Sequence, residues 1–246
     1  GYDMTFINCC KTRPNRMTYL EHARYRGFDG VVIACIDFND PEVIELVKSN
    51  IPVVTIDHLF HNRIAIMSDN AKGMEDLFSY VYERGHRKIA YIHGADSAVT
   101  QSRLSTFYRM AEQKGLSIPD AYIKEAAYRN ADEAYERTRE LLALEDRPTC
   151  ILYQDDFASF GGIKAIRQAG LKIPQDISVA GYDGIRIAYQ LEPQLTTLKQ
   201  DTDSIGRLAA EQLISLIEEP KTTLIRPYIV EGYVEKGQSV RDINHT

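Results

Sequence analysis

What most limits the folds open to this chain is a repeated alternation of short β-branched runs with helical patterns, sustained almost throughout. "GVVIACID" reads as a strand. "DPEVIELVKSN" follows as a helix, with Asp40 as N-cap, Pro41 at the first helical position and Val43, Ile44, Leu46 and Val47 along one side. A second strand, "IPVVTID", precedes a helix over 70–83 that sets Met74, Leu77, Phe78 and Val81 at core spacing and stops at Gly85. The cycle repeats with "KIAYIHG", a helix near 104–114, a short strand at "YIKEAAY", a helix through 134–144, the strand "CILYQD", a helix near 159–169, and "DISVAGYD". A last long helix, "DTDSIGRLAAEQLISLIEE", carries Ile205, Leu208, Leu213, Leu216 and Ile217 and ends before Pro220. Strands separated by helices of this length require crossover connections, so the fold class is α/β with parallel sheets. At 246 residues, two lobes are expected rather than a single core.

Composition narrows the partners. With 44% hydrophobic and 26% charged residues the chain can bury a core, and no apolar run is long enough to cross a bilayer. A net charge of -6 supplies no basic footprint for nucleic acid. Cys9, Cys10, Cys35 and Cys150 form no CxxC pair and read as reduced thiols, which favours a cytoplasmic location. The opening residues lack the charged start and small-residue cleavage site of a secretory signal.

The polar residues fall at the strand ends: Asp37, Asp57, His93, Tyr128, Asp155 and Asp183. Ligands of open parallel sheets bind in the crevice beyond the carboxyl ends of the strands. In "CILYQDDFASFGG" an apolar run stops at Gln154, Asp155 and Asp156. Asp156 is expected to cap the next helix, whereas Asp155 and Asp183 end apolar strands, where an unpaired carboxylate is costly and needs a donor. Arg103, in "TQSRLSTF" at the start of a helix, offers a guanidinium to the same crevice, the alternative being a solvated surface arginine. Tyr128 offers an aromatic face, the alternative being core packing. Such a set suits a neutral polyhydroxylated ligand, a sugar above all. Nothing in it attacks a bond.

No P-loop, GxGxxG or GxSxG is present, so neither a cofactor nor an enzymatic role is expected. "DHLFH" groups Asp57, His58 and His61, but without a third well-spaced ligand it reads as a loop and not a metal site.

Taken in order, "GFDGVVI", "IPVVTID", "SDNAKGMEDLFSYVYERGHRKIAYIHG", "SRLSTFYRMAEQKGL", "RPTCILYQDDFASFGGIKAIRQAGLKIPQDISVAGYD" and "PQLTTLKQD" resemble the effector-binding core of the LacI/GalR family of bacterial transcriptional regulators. The resemblance implies two Rossmann-like lobes of the periplasmic-binding-protein type I, joined by crossover strands, with a small effector between them. It places 1–87 and 200–224 in the first lobe, 88–199 and 225–240 in the second, and 241–246 in a tail. It implies that Arg103 of "SR" and Asp183 of "GYD" contact the effector and that Tyr128 stacks on it. Asp155 stands where relatives usually carry asparagine; since an ionised aspartate only accepts, the ligand should present a donor there. Asp57 and Gln200 complete the expected effector-binding set.

The same resemblance implies a homodimeric, allosteric repressor that reaches operator DNA through a helix-turn-helix headpiece. "GYDMTFINCC" is similar to the family's second strand, so the headpiece, hinge, first strand and first helix have no counterpart in this sequence. The alternative is a sugar-binding protein of an ABC uptake system, which shares the two-lobed build.

Overall fold

The computed structural model describes residues 1–7 and 16–244. Cys9 and Cys10 lie outside the described residues, as does the end of "GYDMTFINCC"; residues 1–7 carry no strand. In chain order the elements are α1 (Tyr19–Arg26), β1 (Val31–Ile33), α2 (Pro41–Lys48), β2 (Val53–Ile56), β3 (Ile64–Ser68), α3 (Asn70–Glu83), β4 (Ile89–His93) and α4 (Ala98–Gln113). Then come β5 (Ile123–Glu125), α5 (Ala131–Leu142), β6 (Cys150–Tyr153), α6 (Asp156–Gln168), β7 (Ser178–Asp183), β8 (Thr196–Lys199), α7 (Thr202–Glu218), β9 (Pro227–Val230) and β10 (Tyr233–Glu235).

These elements form two compact units, Gly1–Met67 with Thr202–Val230, and Ser68–Asp201 with Glu231–Thr246. The first unit holds a four-stranded sheet of order β1-β2-β3-β9, with β1-β2 and β2-β3 parallel. Its apolar residues form two clusters. Leu20, Ala23, Val43, Leu46 and Val47 join α1 and α2 to Ile33 and Val53, while Ile205 and Ala209 of α7 cover Val54, Ile64 and Ile66. As expected, Asp40 caps α2, its side chain accepting from the Glu42 amide, with Pro41 next to it.

The second unit holds a six-stranded sheet of order β10-β8-β7-β6-β4-β5, parallel except where β10 runs antiparallel to β8. β6, in the middle, is buried along its whole length, as its uninterrupted apolar run requires. The sheet separates two cores. Met74, Leu77, Phe78 and Val81 of α3 pack with Phe107 and Met110 of α4 and with Tyr182 and Leu198; Ala134 and Leu141 of α5 pack with Ile163 and Ile166 of α6 and with Ile151 and Val179.

This packing decides the unit boundary. The expected first lobe ran to residue 87, but α3 turns its apolar stripe onto α4, with the Phe78 and Phe107 rings edge to face at 5.3 Å, and so belongs to the second unit. Helix starts also come earlier than expected. Ser97 caps α4 by accepting from the Thr100 amide, and Asn130 caps α5 by accepting from the Glu133 amide. Arg103 therefore sits in the second turn of α4 and not at its start. β5 ends at Glu125, which leaves Tyr128 in the turn beyond it. Among the described residues no helix is long and apolar enough to cross a membrane.

Two glycines in helices give opposite expectations. A Cβ on Gly161 of α6 would lie 1.7 Å from the main-chain oxygen of Ala131 at the start of α5, a backbone clash with no side-chain relief. Gly161→Ala should destabilise the second unit by about 1–3 kcal/mol. A Cβ on Gly206 of α7 meets nothing within 4 Å, so Gly206→Ala should stabilise the first unit by about 0.5–1 kcal/mol. Urea denaturation of each variant against the parent protein checks both signs.

Candidate functional site

The parallel strands of the second unit all finish on one edge, and there the buried polar groups collect. Arg103 is the centre of them, only 3% exposed. A guanidinium cannot shed its charge, so burial demands partners on every side. Its plane lies 3.4 Å over the Tyr182 ring on β7. Nε donates to Asn70 Oδ1 at 2.8 Å and Nη1 to the Gln154 main-chain oxygen at 3.0 Å. Asn70, the first residue of α3, is held in turn because its Nδ2 donates to the Ser68 main-chain oxygen at 3.2 Å. Burial opposes the charge, but Tyr182, Tyr128, Asp183 and Tyr91 together raise the Arg103 pKa. Nη2 donates to no protein acceptor among the described residues, so part of the fork is left for something else.

Asp183 ends β7 with φ of +106°, a backbone conformation that L side chains rarely adopt. Its Oδ1 accepts from Gln200 Nε2 at 2.5 Å, and its main-chain oxygen accepts from the Gln200 amide at 3.2 Å. Gln200 is fixed from its other end, its Oε1 accepting from Ser68 Oγ at 2.6 Å. No protein donor among the described residues reaches Asp183 Oδ2. Burial pushes the Asp183 carboxyl up to about 6, with Arg103 pulling it down and Asp155 pushing it up. Arg103 and Asp183 feel each other's charge without forming a direct ion pair. An open donor and an open acceptor thus share one strand-end edge.

The cap after β6 falls on a different acid from the one expected. Asp155, not Asp156, is the N-cap: its backbone is extended (φ -156°, ψ 164°) and its Oδ1 accepts from the Ala158 amide at 2.6 Å. Its Oδ2 accepts from the Arg129 amide at 2.8 Å, which ties down the turn carrying Tyr128. Asp156 is the first helical residue, fully buried, with Oδ1 accepting from Thr197 Oγ1 at 2.6 Å and Oδ2 from the Ile185 amide at 2.8 Å. The missed signal was Thr197: a hydroxyl on β8, two strands away from β6, satisfies an acid one position further into the helix.

Tyr128 is half-buried and lies on Gly94, where a Cβ would come within 2.1 Å of its ring. Its hydroxyl is 2.9 Å from Thr100 Oγ1; because Thr100 spends its proton on the Ala95 oxygen at 2.7 Å, Tyr128 is the donor. Arg103, Asp155, Asp183, Tyr128 and Gln200 all belong to the second unit. Asp57 belongs to the first, at the end of β2 with φ of +58°, its amide donating to the Ile66 oxygen at 2.9 Å. Beside it His58 stacks on Phe38 at 4.4 Å, and burial lowers the His58 pKa. Among the described residues no group of three or more His, Cys, Asp and Glu side chains is placed to hold a metal ion. Asn70, Gln154 and Tyr182 carry no sequence signal of their contact with Arg103, since Asn70 opens a helix, Gln154 follows a buried strand and Tyr182 lies within one.

Fold and site together define a regulatory ligand-binding domain, and comparison with known proteins agrees: a profile of the periplasmic binding protein-like domain matches residues 78–240. The HTH-type transcriptional repressor PurR of Escherichia fergusonii is 30% identical over 240 residues, covering 94% of this chain and 70% of the repressor. A regulatory protein of the LacI family from Chloroflexus aggregans is 27% identical with a TM-score of 0.79, over 90% of this chain and 80% of that one. A LacI-family regulator from Enterococcus faecium, solved with bound ribose, superposes with a TM-score of 0.81 at 24% identity, over 92% of this chain and 84% of its own. The chain belongs to the LacI/GalR family of transcriptional regulators. It corresponds to the effector-binding core of those regulators, which sets aside the uptake-system alternative.

The position of Asp183 beside Arg103 gives a pH expectation. An acid held near 6 is neutral below that value and anionic above it. Removing the opposing positive charge in Arg103→Met should therefore move the Asp183 midpoint further up. Carboxyl carbon NMR between pH 4 and 8 checks this; an unmoved midpoint would show that the two groups do not interact.

Proposed function

We propose that this chain is the ligand-sensing part of a cytoplasmic repressor, and that its effector is a small sugar or similarly hydroxylated molecule. The observation that carries the reading is the pairing of one open donor, Arg103 Nη2, with one open acceptor, Asp183 Oδ2, in a surround that leaves both charges otherwise partnered. A hydroxyl is both donor and acceptor, so a vicinal diol can satisfy the two at once. Tyr128 supplies an aromatic face for the ring of the ligand, and Gln200 a second amide proton. Asp155 enters only through lone pairs left by its two main-chain bonds, so it favours a ligand that donates there. The ribose bound to the E. faecium relative supports the same class of effector.

On this reading the regulator acts as a homodimer, and operator DNA is gripped by a headpiece outside this sequence. Effector changes operator affinity only through its unequal affinity for two arrangements of the protein. Nothing in the site supplies a nucleophile with an activating base, so binding and not turnover is its chemistry.

Isothermal titration against a panel of mono- and disaccharides tests the assignment. Arg103→Ala and Asp183→Ala should each weaken binding of the recognised sugar by at least a factor of about 30, as loss of a charged hydrogen bond in a buried site does, with circular dichroism little changed. Binding of nucleobases or amino acids instead would overturn the sugar assignment, and unchanged affinity in both variants would remove the site.

A further inference from the structure

Asp156 is fully buried, and its carboxylate is partnered by β8 and by the turn that follows Asp183. Its carboxylate accepts from the Thr197 hydroxyl of β8 on one oxygen and from the Ile185 amide on the other, while the Gly184 amide donates to Thr197 Oγ1 at 3.3 Å. Those two amides immediately follow Asp183, whose own φ is +106°, and Gly184 continues in the left-handed region at +71°. The space for the carboxylate exists because β7 has glycine at 181; a Cβ there would lie 2.1 Å from Asp156 Oδ1. A strained turn of this kind persists only where its surroundings hold it.

We infer that Asp156 is the positioning residue of the effector site: ionised, it clamps the Gly184–Ile185 turn and thereby fixes Asp183 towards the ligand and Gln200. Protonated, it gives up a proton-accepting oxygen and loosens the turn. The inference rests on the effector reading only for its consequence, since the clamp itself is present without ligand.

The groups around Asp156 are few. Asp183 faces it from the turn, Asp155 precedes it in the chain, Lys199 lies alongside Gly184, and the other neighbours, Thr197, Gly181 and Leu195, do not titrate. Burial pushes the Asp156 carboxyl up to about 7, with the Thr197 and main-chain bonds pulling it down and the Asp183 charge adding to the rise. The clamp therefore engages as pH rises through neutrality. Stability runs the other way: an acid whose folded value is raised keeps its proton longer folded than unfolded, so its contribution declines as pH rises from the ordinary carboxylate range to about 7.

The test follows the Ile185 and Gly184 amide signals and the Gln200 side-chain amide by nitrogen-15 NMR from pH 5 to 9, without ligand. The Ile185 and Gly184 signals should titrate with a midpoint near 7, and Gln200 should show the same step beside that of Asp183. Asp156→Asn should abolish that step and leave the Asp183 step. Should Asp156→Asn fold poorly, Thr197→Val removes one of the bonds that favours the carboxylate and should move the Ile185 midpoint upward. An Ile185 signal flat across the range, or one unchanged by both variants, would overturn the clamp. A clear Ile185 step with no step at Gln200 would overturn its control of Asp183. Neither result depends on which sugar, if any, the titration panel identifies.

Discussion

A guanidinium buried in a protein interior has to be stacked and bonded, because it cannot be neutralised. Arg103 meets that demand with Tyr182 beneath it, Asn70 and the Gln154 carbonyl beside it, and Asp183 within range of its charge. Those partners come from α3, the residue after β6, and β7, so the one side chain draws together elements that are far apart in sequence. The assignment of α3 to the second unit follows from the same centre: Asn70 can hold Arg103 only if the start of α3 sits against α4.

Each residue at the edge is in turn held by something behind it. Asp155 caps α6 and anchors the Tyr128 turn, Gln200 spans Ser68 and Asp183, and Asp156 secures the Ile185 amide beyond Asp183. This layering matters for a binding site, since a hydroxylated ligand offers little energy per contact and side chains that must be ordered on binding would consume it. Holding two acids above the usual carboxylate range is a cost of that order, accepted because burial also strengthens what the open groups can offer a ligand.

How much of this was legible beforehand depends on the kind of signal. The sheet class, α2 with its Asp40 cap and Pro41, and the polar strand ends were readable because periodicity, β-branched runs and turn residues are local. The family resemblance correctly placed the chain among LacI/GalR regulators. Non-local choices were not readable: Asp155 against Asp156 as the cap depended on a hydroxyl at Thr197 on another strand, and the unit boundary on which face α3 meets. Arg103 could be singled out, but not its depth. β3 was overlooked because "IAIMS" is short and follows closely on a loop, with no helix between it and β2.

The most direct test of the central claim maps ligand contact residue by residue: nitrogen-15 chemical-shift perturbation on adding the sugar that binds best. The account predicts the largest shifts at Arg103, Tyr128, Asp183 and Gln200 and little change in α5 or α7. Shifts concentrated away from the strand-end edge of the second unit, with these four residues silent, would contradict it.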